Sequence, residues 1–453
     1  MPQTITIRRG YDIKLKGAAV KTITPLPVSD VIAVKPSDFP KVTPKLRVSP
    51  GEIIKAGQCL FIDKHRSDLR FSSPVSGEIA EIIIGEKRRI LEIRILPDKN
   101  ETQYINYPNE DLSTLNREQI IDRLIDSGCW NYIRQRPFSL IANKEDNPKA
   151  IFISCFDTSP LAPDLLFIAD HEKENFTSGI HALHTISGGK LHIGLHHETS
   201  GFLLELLFPK VDEKHIHYFK GPHPSGNVGI QIHHINPIQK GEVVWYVHPQ
   251  DVIIIGRLFS EGRYRADRVI ALTGSCIAQP RYIQVISGHH LQSIIGNESN
   301  LQETRIIQGN VLHGKRSAAS DFLSYYTNQI TAIPEGNTPE FLGWLLPGLQ
   351  KLSLSRTYFS WLRPKKAYAL TTNKHGEERA FVMTGEYDKV LPMNIYPVFL
   401  LKAILAKDLE KMEALGIYEV SEEDFALCEF VCTSKIDVQQ IISEGLDMVL
   451  EEG

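Results

Sequence analysis

The sequence predicts an α/β-plus-β protein of several domains: a small β-sandwich, a parallel α/β layer, a second β-rich module and a helical C-terminal region. Short β-segments crowd Thr43 to Leu96, separated by Pro-Gly and Ser-Gly turns. From Ala150 onward, strand and helix patterns alternate, the signature of a parallel sheet covered by helices. The length of 453 residues at 42% hydrophobic composition suffices for about three cores of ordinary size.

The opening stretch MPQTITIRRGYDIKLKG alternates apolar and polar residues like a strand, and it lacks the long apolar core of a secretion signal. A cytoplasmic protein is expected. Residues 1–100 are assigned to the sandwich, read in KLRVSPGEIIKAGQCLFID, RFSSPVSGEIAEIIIG and RRILEIRIL. The spacing V-x-x-G-E-x-I-x-x-G-Q-x-L, followed by S-P-V-S-G-x-I, resembles biotinyl/lipoyl carrier domains, in which two hairpins wrap around a pseudo-twofold axis.

Residues 101–261 form the α/β layer. It opens with a polar linker and an amphipathic helix from Arg117 to Ser127, with Ile120, Ile121, Leu124 and Ile125 on one face and Ser113 or Asn116 as its cap. The strands AIFISCFD and KLHIGLH follow, with the Pro-rich turn DTSPLAPD and a helical stretch between them. Residues 262–330 form the second β module, from Arg268–Leu272, Tyr282–Ser287 and the hairpin-like LQETRIIQGNVLHG. Residues 331–453 begin with a Pro-rich lead and end in helices at Pro397–Leu409 and Val438–Glu451.

Composition excludes several classes. The formal charge of −4 is spread over mixed-sign stretches without a long Lys/Arg block, so no nucleic-acid partner is expected. No run approaches the roughly 18 to 20 apolar residues of a spanning helix, since Arg257 cuts the stretch Val252–Gly256 and Lys402 the stretch Val398–Leu401. Six scattered cysteines in so long a chain read as reduced thiols rather than a disulfide scaffold.

Four motifs bear on chemistry. Lys64 in FIDKH occupies the place of a modified carrier lysine, yet the gap to Ser73–Pro74 is longer than such a tip requires, so it reads as a surface lysine. Ten histidines between His181 and His234 are the commonest metal-ligand type, but no H-E-x-x-H occurs. The His-rich stretches read as strands, where neighbours such as His196 and His197 face opposite ways, so no metal site is expected. HPSGNVGIQIHHINP places His223, Gly226 and Gly229 where Gly-rich loops present N–H groups to a phosphate, but the full G-x-G-x-x-G fingerprint is missing. Cys428 and Cys432 are two thiols where a four-iron cluster needs four.

Together these segments resemble one family along nearly the whole length, the A subunit of the Na⁺-translocating NADH:quinone reductase. The marks are RRGYDIKLKG, GEIIKAGQCLFIDK, FSSPVSGEI, FDTSPLAPD, HPSGNVGIQIHHINP, VWYVHPQDVIIIGRLF, FLGWLLPG, TGEYDKVLPMNIYP and ALCEFVCTSK, in that order. Thr433 departs from the pattern, which has proline after the second cysteine. The resemblance implies a barrel-sandwich hybrid, a Rossmann-like α/β layer, a β-grasp module of the SLBB type and a helical tail. This layout is similar to that of the flavin- and cluster-bearing NADH-oxidising subunit of respiratory complex I. It also implies loss of the flavin and the cluster, leaving His223, Gly226 and Gly229 as a relic nucleotide loop.

By the same resemblance the chain has no cofactor and no catalytic residue of its own. It would rest on the cytoplasmic face of the bacterial inner membrane with subunits B to F, chiefly the membrane-embedded B. Ubiquinone or menaquinone would be the ligand of the complex. Trp344, or Tyr358, Phe359 and Trp361, would line an apolar quinone cleft. The competing readings are an autonomous flavin- or lipoyl-type redox enzyme and a purely structural cap.

Overall fold

Alternation of inward and outward residues builds the first unit. The computed structural model describes residues 3–108, 110–209, 211–296, 303–337, 341–343 and 345–452. The strands Gly77–Ile84 and Ile90–Pro97 pair antiparallel and turn Ile79, Ile93 and Ile95 into the core of a four-stranded sheet. A three-stranded sheet, Pro44–Leu46, Cys59–Asp63 and Arg70–Ser72, supplies the facing layer. Phe61 and Phe71 stack there with ring centroids 4.4 Å apart. Gly77 has φ +150°, and a Cβ on it would lie 2.0 Å from the Leu96 carbonyl oxygen, so only glycine lets these strands approach. The first two strands of the chain lie outside this sandwich: Gln3–Thr6 pairs in parallel with Ile216–Lys220, and Val20–Pro25 with Arg281–Ile286.

The second unit is a seven-stranded sheet. Its four central strands, Ile151–Ser154, Leu191–His196, Ile216–Lys220 and Val244–Tyr246, are parallel and lie in the spatial order 3-2-1-4 of a doubly wound sheet. The hairpin Arg134–Arg136 and Leu140–Ile141 extends it antiparallel beyond the fourth. The expected helix Arg117–Ser127 is present. Asn116 caps it through a reciprocal capping box with Gln119, each bond 2.9 Å, and Gly128 ends it at φ 79°. Two further helices, Lys173–Ile186 and Pro249–Ser260, cross at glycines. A Cβ on Gly179 would meet the Val252 carbonyl oxygen at 2.1 Å, and one on Gly256 the Asn175 carbonyl oxygen at 1.7 Å. Side chains at this crossing would hold the helices apart.

The third sheet has six strands, with Asp267–Thr273 at its centre, antiparallel to Arg281–Ile286 and parallel to Gln329–Pro334. Thr304–Gln308 pairs antiparallel with Lys315–Ser317, so the hairpin expected within LQETRIIQGNVLHG has its return strand just beyond Gly314. The C-terminal helices Pro397–Leu405, Ala426–Val431 and Val438–Glu452 pack Leu401, Cys428, Ile442 and Val449 into a core that also takes in Ile7, Ile13 and Phe219 from the α/β side. The predicted helix at Pro397 thus ends at Leu405. Ala406 closes it and Lys407 adopts φ 56°, after which Asp408 caps a separate turn of helix.

Ion pairs join helix Pro249–Ser260 to the third sheet: Arg257 meets Asp267 at 3.2 Å, and a more deeply buried pair lies further in. Arg268, in the central strand of the six-stranded sheet, pairs with Asp251 in the first turn of helix Pro249–Ser260, and both side chains are inaccessible to water. Arg268 also donates to the Tyr325 and Thr327 carbonyls at 2.8 and 3.2 Å. Gln250 adds a bond from the Val269 N–H at 2.8 Å and one to Asn328 at 3.0 Å. Removing one partner of such a pair leaves a buried charge and costs about 3–5 kcal/mol. Arg268→Met is therefore expected to lower the unfolding free energy obtained from urea titration by an amount in that range, with a lower midpoint, and adding Asp251→Leu to restore most of it. A midpoint no lower than that of an exposed-lysine substitution would refute this role.

Candidate functional site

In a doubly wound sheet the connections diverge between the first and fourth strands, which leaves a crevice at their carboxyl ends. Here that crevice is a cleft of about 570 Å³. Ser154, Phe156 and Asp157 follow the first strand into it, and Tyr246, Val247 and His248 come from the fourth. Arg134 and Arg136 enter from the neighbouring hairpin strand, Tyr326 and His313 from the third sheet's loops, and Glu423 from the C-terminal helical region.

The arginines are held differently. Arg134 lies between the Tyr246 and Tyr326 rings, at 5.4 and 5.1 Å from their centroids, and donates to the Ser139 carbonyl at 2.9 Å. Arg136 is almost wholly buried and pairs with Glu423 at 2.6 Å and Asp424 at 3.6 Å. Burial alone would lower this guanidinium, but the carboxylates of Asp424 and Glu423 outweigh it and raise it above its ordinary value. Its Nε and Nη1 nevertheless have no hydrogen-bond partner among the described residues. Burial pushes the Asp424 carboxyl upward, against the pull of Arg136.

The loop His223–Gly229 lies beside the cleft and opens helix Val228–Ile235. The His223 N–H donates to Asp12 at 2.8 Å, and the Gly226 N–H donates to Thr158 Oγ1 at 3.0 Å. A Cβ on Gly226 would lie 2.7 Å from the Thr158 nitrogen, so this glycine lets the loop seat on the turn after the first strand. A Cβ on Gly229 would lie 2.6 Å from Asp424 Oδ2. The first turn of this helix, where dipole and free N–H groups favour an anion, is thus covered by the protein's own carboxylate. Asn227 fastens the arrangement by donating to the Glu423 carbonyl at 3.2 Å.

Of His223, Gly226 and Gly229, Gly226 lines the cleft, while the other two lie on the same segment beside it. Tyr358, Phe359 and Trp361 do not line it: Tyr358 is half-buried, and Phe359 and Trp361 are exposed on the short turn Phe359–Leu362. Trp344 lies outside the described residues. Lys64 is exposed just after strand Cys59–Asp63. Cys428 and Cys432 are buried in the C-terminal core, where burial pushes the Cys428 thiol well up.

The histidines gather in small sets: the His192 ring lies 5.1 Å from those of His215 and His217, and the rings of His196 and His197, at the end of the strand, lie 4.4 Å apart instead of facing opposite ways. His192 bonds His217 at 2.9 Å across two strands, while His233 and His234 lie on a helix rather than a strand and bond Glu419 and the Pro392 carbonyl at 2.7 and 2.9 Å. Their helix starts behind Pro224 and Asn227, turn residues that outweigh the β-rich look of IQIHHI. Among the described residues, no group of three or more His, Cys, Asp or Glu is placed to hold a metal ion. Sequence reading missed Arg134, Arg136 and Asp424. The one local sign was S-E-E-D, which forms a capping box through Ser421 and Asp424.

Three family models match the chain. Residues 5–98 match the NqrA N-terminal barrel-sandwich hybrid domain, 115–264 the NqrA second alpha/beta domain and 269–319 the NQRA C-terminal domain. Among curated proteins, the A subunit of the Na(+)-translocating NADH-quinone reductase of Haemophilus influenzae (strain PittGG) is 36% identical over 99% of this chain and 100% of its own length. That of Hahella chejuensis (strain KCTC 2396) is 35% identical, and that of Neisseria meningitidis serogroup A 36%, with the same coverage. A solved NAD+-reducing [NiFe]-hydrogenase overlaps 76% of this chain and 62% of its own at 10% identity and TM-score 0.39, a level from which nothing is inferred.

His223 and His248 give the cleft region a pH signature. Burial lowers both imidazoles from 6.5 to about 3, helped by His313 and Arg268 respectively. The unfolded chain takes up these protons below pH 6.5, and the folded chain does so only near pH 3, so stability falls with pH across that window. By pH 5 the loss is about 2 kcal/mol per histidine. His248→Asn, which keeps an acceptor for the Gln250 N–H, is expected to flatten the fall in urea midpoint between pH 7 and pH 5. An unchanged slope would contradict the assignment.

Proposed function

The chain belongs to the family of the Na(+)-translocating NADH-quinone reductase A subunits, and from that premise we propose a peripheral subunit with no redox group of its own that works at the quinone-reducing end of its complex. The observation that carries this reading is Asp424 against Gly229. A flavin or dinucleotide brings its phosphate to this kind of helix start, and a carboxylate already held there repels it. The two thiols of Cys428 and Cys432 are likewise too few for a four-thiolate cluster. These residues do not fit either group.

We read one stretch of the cleft, which elsewhere carries Asp157, Lys315, Glu422 and Glu423, as a seat for a neutral ring with polar oxygens. Phe156, Leu165, Tyr246 and Val247 supply apolar wall, and the Arg136 side chain borders it with Nε and Nη1 buried and unpaired among the described residues, donors that a quinone oxygen would reach once the side chain shifts toward the cleft. Tyr358, Phe359 and Trp361 remain the alternative quinone contacts. On an exposed surface they would need the membrane or a neighbouring subunit to close over the ring. The proposed partners are the other subunits, B to F, with the membrane-embedded B chief among them, at the cytoplasmic face. Among the described residues no helix is long and apolar enough to cross a membrane.

Calorimetric titration of the full chain with a soluble ubiquinone analogue tests this. Loss of a charged hydrogen bond is worth about 1.5–3 kcal/mol, so Arg136→Gln should weaken binding about tenfold or more. Phe156→Leu should weaken it less, and Phe359→Ser with Trp361→Ser should leave it unchanged. Weakening by the surface pair alone would move the contacts to Phe359 and Trp361, and no saturable binding by the wild-type chain would remove the quinone reading. A flavin absorbance band in the purified chain would overturn the cofactor-free reading independently.

A further inference from the structure

From Phe341 to Gly376 the chain carries six Lys or Arg and no Asp or Glu, within a protein whose net charge is −4. The same stretch leaves large apolar side chains in water, with Phe341 89% exposed, Leu345 66% and Leu362 60%. These residues are drawn together by the fold. The Phe359 N–H donates to the Pro347 carbonyl at 2.9 Å, and the Tyr358 ring lies so close to Gly348 that a Cβ there would be 2.2 Å from Cδ1. Lys366 Nζ reaches Gln350 at 2.8 Å, and Lys351 Nζ lies 5.6 Å from the Tyr358 ring centroid. Lys14 joins the edge from the other end of the chain, its ammonium 3.0 Å from the Pro364 carbonyl between Arg363 and Lys365.

We propose that this apolar, cationic edge, built from residues 341–343, 345–366 and Lys14, is a contact site for anionic phospholipid headgroups. Exposed apolar patches mark interaction surfaces, and cations of one sign beside Leu, Phe and Trp are the chemistry of a lipid–water boundary. Protein interfaces deplete lysine, whereas lysines outnumber arginines here. Lysine is a strongly hydrated point charge that fits a mobile headgroup layer without fixed bidentate geometry. The inference stands apart from the quinone reading: it concerns lipid without quinone, and either can fail alone.

The test is co-sedimentation of the purified full chain with vesicles of phosphatidylcholine alone and of phosphatidylcholine mixed with phosphatidylglycerol. Binding to the mixed vesicles only, decreasing as salt rises, is expected. Arg363→Gln with Lys365→Gln should weaken it at least about tenfold, from roughly 1 kcal/mol per cation. Phe359→Ser should weaken it further. Lys87→Gln with Arg88→Gln, on an exposed turn of the sandwich, should leave it unchanged. The proposal is overturned by no binding at low salt, by equal binding to both vesicles, by an unaffected Arg363/Lys365 variant, or by an equal loss in the Lys87/Arg88 control. It is also overturned if the wild-type chain ignores vesicles while the Arg363/Lys365 variant drops out of the assembled complex, which would make the occupant another protein of the complex.

Discussion

A guanidinium removed from water must find anions and carbonyls, and Arg268 finds Asp251 and two loop carbonyls. That need ties the six-stranded sheet to the helix that follows the fourth strand of the doubly wound sheet. The clasp in turn positions the loop carrying Tyr326 over the crevice. Burial pushes the Asp251 carboxyl up to about 6, offset only in part by Arg268, so the joint is bought at a desolvation cost. The glycine crossing at Gly179 and Gly256 is its apolar counterpart, seating the same helix close to its neighbour.

A second buried charge set works at the opposite wall. Arg136 comes from the sheet's hairpin, Glu423 and Asp424 from the C-terminal helical region, and Gly229 gives Asp424 room at a helix start. An open helix N-terminus attracts a mobile anion, and a tethered carboxylate meets the same electrostatic demand without one. The same arrangement seats a helix start without the full glycine fingerprint beside the crevice of the doubly wound sheet. It also brings the C-terminal helices into the cleft wall.

Polarity is divided between two places. Inside the cleft, charges sit against counter-charges and aromatic faces, with Arg134 between Tyr246 and Tyr326. On the outer edge near Phe359, cations and apolar side chains share water with no acidic residue in the local sequence. Buried charge organises the domains internally, whereas one-signed charge on an exposed apolar edge directs contact outward.

The sequence by itself determined what depends on near neighbours. Turn residues and alternation marked the sandwich, 3.6-residue periodicity and Asn116 marked helix Arg117–Ser127, and the ordered segment matches marked the family. His223, Gly226 and Gly229 were legible as one segment because they are near neighbours in the chain, whereas the groups the two glycines make room for, Thr158 and Asp424, were not. Tertiary structure alone decided the rest. Arg136 meets Glu423 across 287 residues and Lys14 reaches Pro364 across 350, pairings that leave no periodic trace in the chain. It also decided that Gln3–Thr6 joins the doubly wound sheet, since a strand's pattern records which faces are apolar and not which neighbour supplies its hydrogen bonds. The aromatic run Tyr358–Trp361 shows the same limit, because composition cannot distinguish a side chain lining a cleft from one facing outward.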